Sequence, residues 1–149
     1  MRRILVPVDF SPGMQDVARF AAKLARAFSA DLTLLHVAPP EPDFVSYEPG
    51  PDSVRTAVAR ELSALHHKLH ELDRSLEAEG LSVTSLVIQG YTVEKILQEI
   101  LRLGADLVVM GSHGHGALRH LLVGSVTEGV IRESPVPVVV VPTRPTSRS

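Results

Sequence analysis

Hydrophobic positions along the chain fall into two patterns. Five short, largely apolar runs stand apart: "RILVPV" (Arg3 to Val8), "LTLLHV" (Leu32 to Val37), "VTSLVI" (Val83 to Ile88), "DLVVM" (Asp106 to Met110) and "VPVVVV" (Val136 to Val141). Runs this short and this rich in Val, Ile and Leu predict strands buried on both faces of a parallel sheet. Between them the apolar residues recur at helical spacing. Val58, Leu62, Leu65, Leu69, Leu72 and Leu76 follow one another at intervals of three and four, which makes one face of a helix over Val54 to Glu79. Asp52 or Ser53 offers an N-cap for it, and Gly80 sits where a C-terminal glycine belongs. Ile96, Leu97, Ile100, Leu101 and Leu103 predict a shorter helix, opened by Thr92 and closed by Gly104. A helix from about Pro12 to Phe28 has Ser11 as N-cap and Pro12 at its first position, and a last helix is expected over Val126 to Arg132.

Strands alternating with helices need crossover connections, so the expected class is α/β, a five-stranded parallel sheet with helices on both faces. Two strand orders fit this alternation. In the order 3-2-1-4-5 the first and fourth strands are neighbours, and in 2-1-3-4-5 they are separated. The length of 149 residues suits a single domain, 1–149. The long connection "APPEPDFVSYEPGPD" (38–52) holds five prolines and exceeds a minimal link, as either a flap or a surface insertion. The tail from 143 to 149 is polar and expected to fray.

Composition narrows the class. A hydrophobic fraction of 44% is ordinary for a globular core. Fifteen basic against 17 acidic residues, net −2, argues against a general binder of nucleic acid or of anionic membranes. No cysteine is present, so disulfides and thiolate metal sites are excluded, and a cytoplasmic location is compatible. No run approaches the roughly 20 apolar residues that span a bilayer. The opening "MRRILVPVDF" lacks the h-region and cleavage site of a signal peptide and is expected to be a first strand.

The chemistry concentrates in "GSHGHGALRHLLVGS" (Gly111 to Ser125), which follows the fourth apolar run and precedes the last helix. Four glycines lie within it, at 111, 114, 116 and 124. Glycines beside a helix start let phosphate oxygens approach unpaired backbone N–H groups, with the helix dipole adding positive potential. Ser125 offers a hydroxyl, and Asp9, in "VDFSPG" after the first strand, offers an acceptor for ribose hydroxyls or an adenine amine. Each feature also has a purely structural explanation. "SVTE" (Ser125 to Glu128) fits a capping box, the glycines fit tight turns, and Asp9 fits a turn near Ser11. Neighbouring motifs do not match. No lysine occurs from Gly111 to Ser125, so there is no P-loop, and "GHGALR" lacks the third glycine of a dinucleotide fingerprint. No paired carboxylates or nucleophile–base spacing demands an enzyme. His113 is expected in a backbone or packing role rather than positioning water. His66 and His70, four residues apart on one helix, lie off the leucine face and are expected to be solvent-exposed rather than ligating a metal.

Gly111, Gly114, Gly124 and Ser125 fit G-x2-G-x9-G-[ST], and in this the chain resembles the ATP-binding branch of the universal stress protein family. "RILVPVDFS", "LTLLHV" and "VIQGYTVEKIL" are similar to that family as well, so the resemblance covers nearly the whole chain apart from 38–52 and the tail. It implies the 3-2-1-4-5 order and a crevice shared by the loops after the first and fourth strands. It implies ATP as ligand, with Mg or Mn at the phosphates, and a homodimer joined through residues 136–141. Carried over by position, Asp9 lies near adenine or ribose, with Pro7, Val8, Val37 and Met110 at the base. Gly111, Gly114, Gly124, Ser125 and Val126 hold ribose and phosphates, and Ser112 and His113 belong to the same loop. Ser112 stands where the family often has threonine. His115 and Gly116 stand where it often has arginine, leaving Arg119 as the nearby cation. The function implied is an ATP-binding stress-response or signalling module with slow or no hydrolysis. The alternatives are a weak ATPase or adenylyl-group enzyme on the same fold, and a dimeric interaction protein that needs no nucleotide.

Overall fold

The computed structural model describes residues 1–40, 52–114 and 123–143, and of residues 52–55 only the backbone. Its elements run β1 (Arg3–Pro7), α1 (Met14–Phe28), β2 (Asp31–Ala38), α2 (Asp52–Glu77), β3 (Val83–Gln89), α3 (Thr92–Leu103), β4 (Leu107–Gly111), α4 (Ser125–Glu133) and β5 (Val138–Val141). The sheet is parallel, in the order β3-β2-β1-β4-β5, which decides between the two orders open from the strand pattern.

Alternation along the strands splits the core in two. Ile4, Val6, Leu32, Leu34, Leu107 and Val109 face one side, where they meet α1 and the C-terminal part of α2. Leu5, Leu35, Val108 and Met110 face the other, against Ile96 and Ile100 of α3 and Val130 of α4. Each strand residue thus sits one position from a neighbour on the opposite face, as a period of two requires. On α1 the buried stripe is Val17 and four alanines, 18, 21, 22 and 25. Side chains this small let the helix lie close to β1 and β4, the central pair. On α2, Leu69, Leu72 and Leu76 are buried, while Val58, Leu62 and Leu65 are half-buried. His66 and His70 are exposed beside them.

Most element boundaries shift by a residue or two from the sequence expectation, and at three starts the hydrogen bonds show why. Helix α1 begins at Met14 with Gly13 as its N-cap and no side-chain cap, two residues later than the Ser11–Pro12 pair predicts. The cause lies just upstream. Asp9 Oδ1 accepts the Ser11 N–H at 3.0 Å, and Phe10 takes a left-handed φ of 59°, so Ser11 belongs to a turn rather than to the helix. Helix α4 begins at Ser125 itself, with Gly124 as N-cap and no side-chain cap. The capping box does not form, because Glu128 pairs forward with Arg132 at 2.7 Å. Strand β5 begins at Val138 rather than Val136. Ser134 Oγ donates to Val136 O at 2.7 Å and accepts the Val136 N–H at 3.2 Å, which holds Val136 in a turn. The caps proposed at Asp52 and Ser53 lie outside the described side chains. Helix α3 ends as its glycine predicts, with Gly104 at φ 61° in the left-handed region.

Candidate functional site

With β1 and β4 adjacent at the centre, the chain order reverses between them, and the loops leaving their carboxyl ends part. A crevice opens at such a reversal. Here it has a volume of about 500 Å³, within the range of small-ligand sites. It is lined by Pro7, Val8 and Asp9 from the end of β1, Val37 from β2, and Met110, Gly111, His113 and Gly114 from β4 and its loop. Gly124, Ser125 and Val126 close it from the start of α4. Of the residues expected from the sequence, Ser112 alone does not line the cavity. It is buried behind the wall, where its hydroxyl accepts the Thr143 N–H at 2.9 Å.

The wall after β1 is held by its backbone. Val8 N–H donates to Leu35 O at 2.8 Å, and His36 Nδ1 lies 2.8 Å from Val8 O. A carbonyl only accepts, so His36 carries its proton on Nδ1. The His36 ring, which also lines the crevice, packs against Phe10, centroids 4.8 Å apart. A left-handed backbone at a bulky aromatic is unfavourable. These contacts hold it in place and aim the Asp9 carboxylate across the crevice at the β4 loop, where a β-carbon at Gly114 would overlap Asp9 Oδ2.

The opposite wall is the first turn of α4. Gly124 N–H donates to Ser112 O at 2.7 Å, and the first helical bond runs from Glu128 N–H to Gly124 O at 2.9 Å. The amides of Ser125, Val126 and Thr127 therefore have no acceptor within the helix, and all three residues line the crevice. Thr127 Oγ1 donates to Gly111 O at 2.7 Å and so fixes this turn to the end of β4. Among the described residues that line the crevice there is no lysine or arginine. Positive potential on this wall comes from the helix start itself. Arg119, His115 and Gly116 lie outside the described residues.

Thr127 and Thr143 are among the lining residues that the sequence did not point to. Thr127 looked like an ordinary position of the last helix. Thr143 was placed in a fraying tail, yet it is 7% exposed, lines the crevice and bonds to both Ser112 and His113. Neither carries a local signal, since each acts on a residue 16 or more positions away. The His113 N–H donates to Thr143 Oγ1 at 2.9 Å, and the residue lines the crevice. Among the described residues no group of three His, Asp or Glu is arranged to hold a metal ion, and no described helix is long and apolar enough to cross a membrane.

An open parallel sheet with a crevice at its order reversal, and a helix start on one wall, is the arrangement by which doubly wound α/β proteins take small ligands. The chain belongs to the Universal stress protein family, which it matches over residues 1–142. It is 33% identical over 156 residues to universal stress protein MJ0577 of Methanocaldococcus jannaschii, covering 94% of each chain. The solved structure of MJ0577 superposes with a TM-score of 0.81 at 30% identity, over 97% of this chain and 98% of that one. At 21% identity and a TM-score of 0.65, the fold also matches a universal stress protein of Archaeoglobus fulgidus solved in complex with dAMP, over 94% and 97% of the two chains.

Proposed function

We propose that the protein binds ATP in this crevice and acts as a stress-response or signalling module with slow or no hydrolysis. The observation that carries this is the facing pair of walls. One presents the Asp9 carboxylate and the apolar residues Pro7, Val8, Val37 and Met110, and the other presents the first-turn amides of α4. An adenine suits the apolar part, ribose hydroxyls suit Asp9, and phosphate oxygens suit the amides of Ser125 and Val126 beside Gly111, Gly114 and Gly124. Ser112 supports this loop from behind, and His113 lines the crevice within it. The dAMP complex of a same-fold protein agrees with an adenine nucleotide, and ATP in particular is what the resemblance carried by G-x2-G-x9-G-[ST] implies. A Mg or Mn ion fits as a guest of the phosphates. Asp9 is the one carboxylate among the described residues that line the crevice, with the Ser125 hydroxyl at the helix start, and Mg commonly takes one or two carboxylates together with substrate phosphates. We further propose a cytoplasmic homodimer joined through β5.

Charge-assisted hydrogen bonds contribute about 1.5–3 kcal/mol each. A few of them with adenine burial give roughly 8 kcal/mol, a micromolar Kd. Calorimetry with ATP and Mg is the test, joined to identification of any nucleotide released on denaturing the purified protein. No heat at millimolar ATP rejects the reading. Turnover that an Asp9→Ala variant abolishes would instead favour a weak ATPase or adenylyl-group enzyme.

A further inference from the structure

Resting on the nucleotide reading above, we propose that Thr143, two residues beyond the end of β5, is a positioning residue that sets the His113–Gly114 backbone for the phosphates. Its hydroxyl brackets one residue. Oγ1 accepts the His113 N–H at 2.9 Å and donates to His113 O at 3.0 Å, so both backbone groups of His113 are held by one side-chain atom. The Thr143 backbone does the rest. Its N–H donates to Ser112 Oγ at 2.9 Å, and its carbonyl lies 3.1 Å from His113 Nδ1, which also sits 3.0 Å from Ser112 Oγ. Ring, peptide and preceding side chain of the β4 loop are thus all tied to a segment 30 residues away.

The surroundings are shaped to admit this side chain. A β-carbon at Gly13 would stand 2.5 Å from Thr143 Cγ2, and one at Gly111 would stand 3.1 Å from it. Two of the glycines that line the crevice therefore also make room for Thr143. Gly13 caps α1 and Gly111 ends β4, so the threonine wedges between the two central loops and sets their separation. Gly114, next after the bracketed residue, meets the Asp9 carboxylate across the crevice. Without the bracket, His113 N–H and C=O would each lose the bond to Thr143 Oγ1, and the following peptide would be less firmly oriented.

The test titrates ATP into the parent, Thr143→Val and Thr143→Ser, and follows hydrogen exchange of the His113 amide without nucleotide. Valine keeps the shape and the methyl against Gly13 and Gly111 but removes the hydroxyl. Serine keeps the hydroxyl and removes the methyl. The expected result is ATP affinity about tenfold weaker for valine, a change of about 1.4 kcal/mol, and within about twofold of the parent for serine. His113 exchange should quicken in the valine variant only. Gly13→Ala, which drives a methyl into Thr143, should weaken ATP in the same direction and stands in if the valine variant does not fold. Equal affinity and equal His113 protection in parent and valine variants overturn the role. So does a serine variant as weak as valine, which would make the methyl the deciding group. A parent that binds no ATP is a separate failure: it overturns the nucleotide reading itself and leaves Thr143 nothing to position.

Discussion

A β-carbon added at Gly114 would overlap the Asp9 carboxylate, whereas one added at Gly124 would reach only van der Waals contact, 3.5 Å from Ser112 O. The two glycines therefore answer to different demands. At Gly114 the protein's own packing requires the missing side chain. Asp9 Oδ1 is engaged by the Ser11 N–H, so the carboxylate can yield to a methyl only by giving up that bond. At Gly124 the backbone is extended, φ −69° and ψ 161°, a conformation open to any residue. Nothing among the described residues there excludes alanine, so on the proposed reading the glycine at 124 serves a ligand that approaches the α4 amides from outside. Gly124→Ala should melt within a few degrees of the parent, the helix-cap change being worth under about 1 kcal/mol, and should bind ATP about tenfold more weakly. Gly114→Ala should lose affinity and also displace Asp9. Thermal melts alongside calorimetry separate the two cases. A Gly124→Ala protein that binds ATP like the parent would show that no ligand comes near this turn.

At the scale of elements, what was legible in the sequence was what local pattern encodes. Strands β1 to β4 and helices α2 and α3 follow from runs such as "LTLLHV" and from the spacing of Leu69, Leu72 and Leu76, because burial on two faces or on one stripe writes itself into composition. Pro7, Val8, Asp9, Gly114 and Ser125 came together as expected because the ends of adjacent strands must. The misses are places where a particular hydrogen bond, near or distant, overrides the pattern of apolar positions. Asp9 takes the Ser11 amide and delays α1, Arg132 takes Glu128 from the capping box, and Ser112 and His113 take Thr143 from the tail. Asp106 is a further case, a residue at the head of the "DLVVM" run with no visible task. Its Oδ2 accepts the N–H groups of Arg2 at 2.7 Å and Arg3 at 3.0 Å and so pins the start of β1 to the α3–β4 turn. The Arg2 N–H, then that of Arg3, holds the Asp106 carboxyl below its usual value. A lowered native pKa gives stability that is complete above the unfolded value, about 3.9, and that is lost as pH falls through the lower native one. Asp106→Asn should therefore melt below the parent at neutral pH, and the gap should close as the medium is acidified below that range. A gap that does not change with pH would assign the effect to the geometry of the amide rather than to charge.

At the scale of the whole molecule, β5 ends the sheet with an unshared edge. Its pairing within the described residues is with β4 alone, from Val108↔Val138 to Gly111↔Val141. Val108 N–H bonds Pro137 O and Ser112 N–H bonds Val141 O, so the odd-numbered residues of β5 turn their backbone groups inward. Alternation then turns the N–H and C=O of Val138 and Val140 outward. All four valines, Val138 to Val141, are only half-buried, and none of the strand is charged. Such an edge invites another strand. Pro135 and Pro137 precede the strand and guard its beginning, but they leave these outward groups unprotected. Antiparallel pairing with the same strand of a second copy would satisfy them and cover the valines, and a strand paired with itself is a self-complementary two-fold contact. Val139 and Val141 pack on the α1 side of the core and Val138 on the α3–α4 side. Val140 belongs to neither cluster and does not line the crevice. It is therefore the position where a lysine disturbs the edge while leaving core and site alone. The parent should be dimeric at roughly tens of micromolar, and Val140→Lys should be monomeric with its melting behaviour nearly unchanged. Sedimentation at several concentrations decides this: a monomeric parent, or a dimer that the lysine leaves intact, would move the association away from β5.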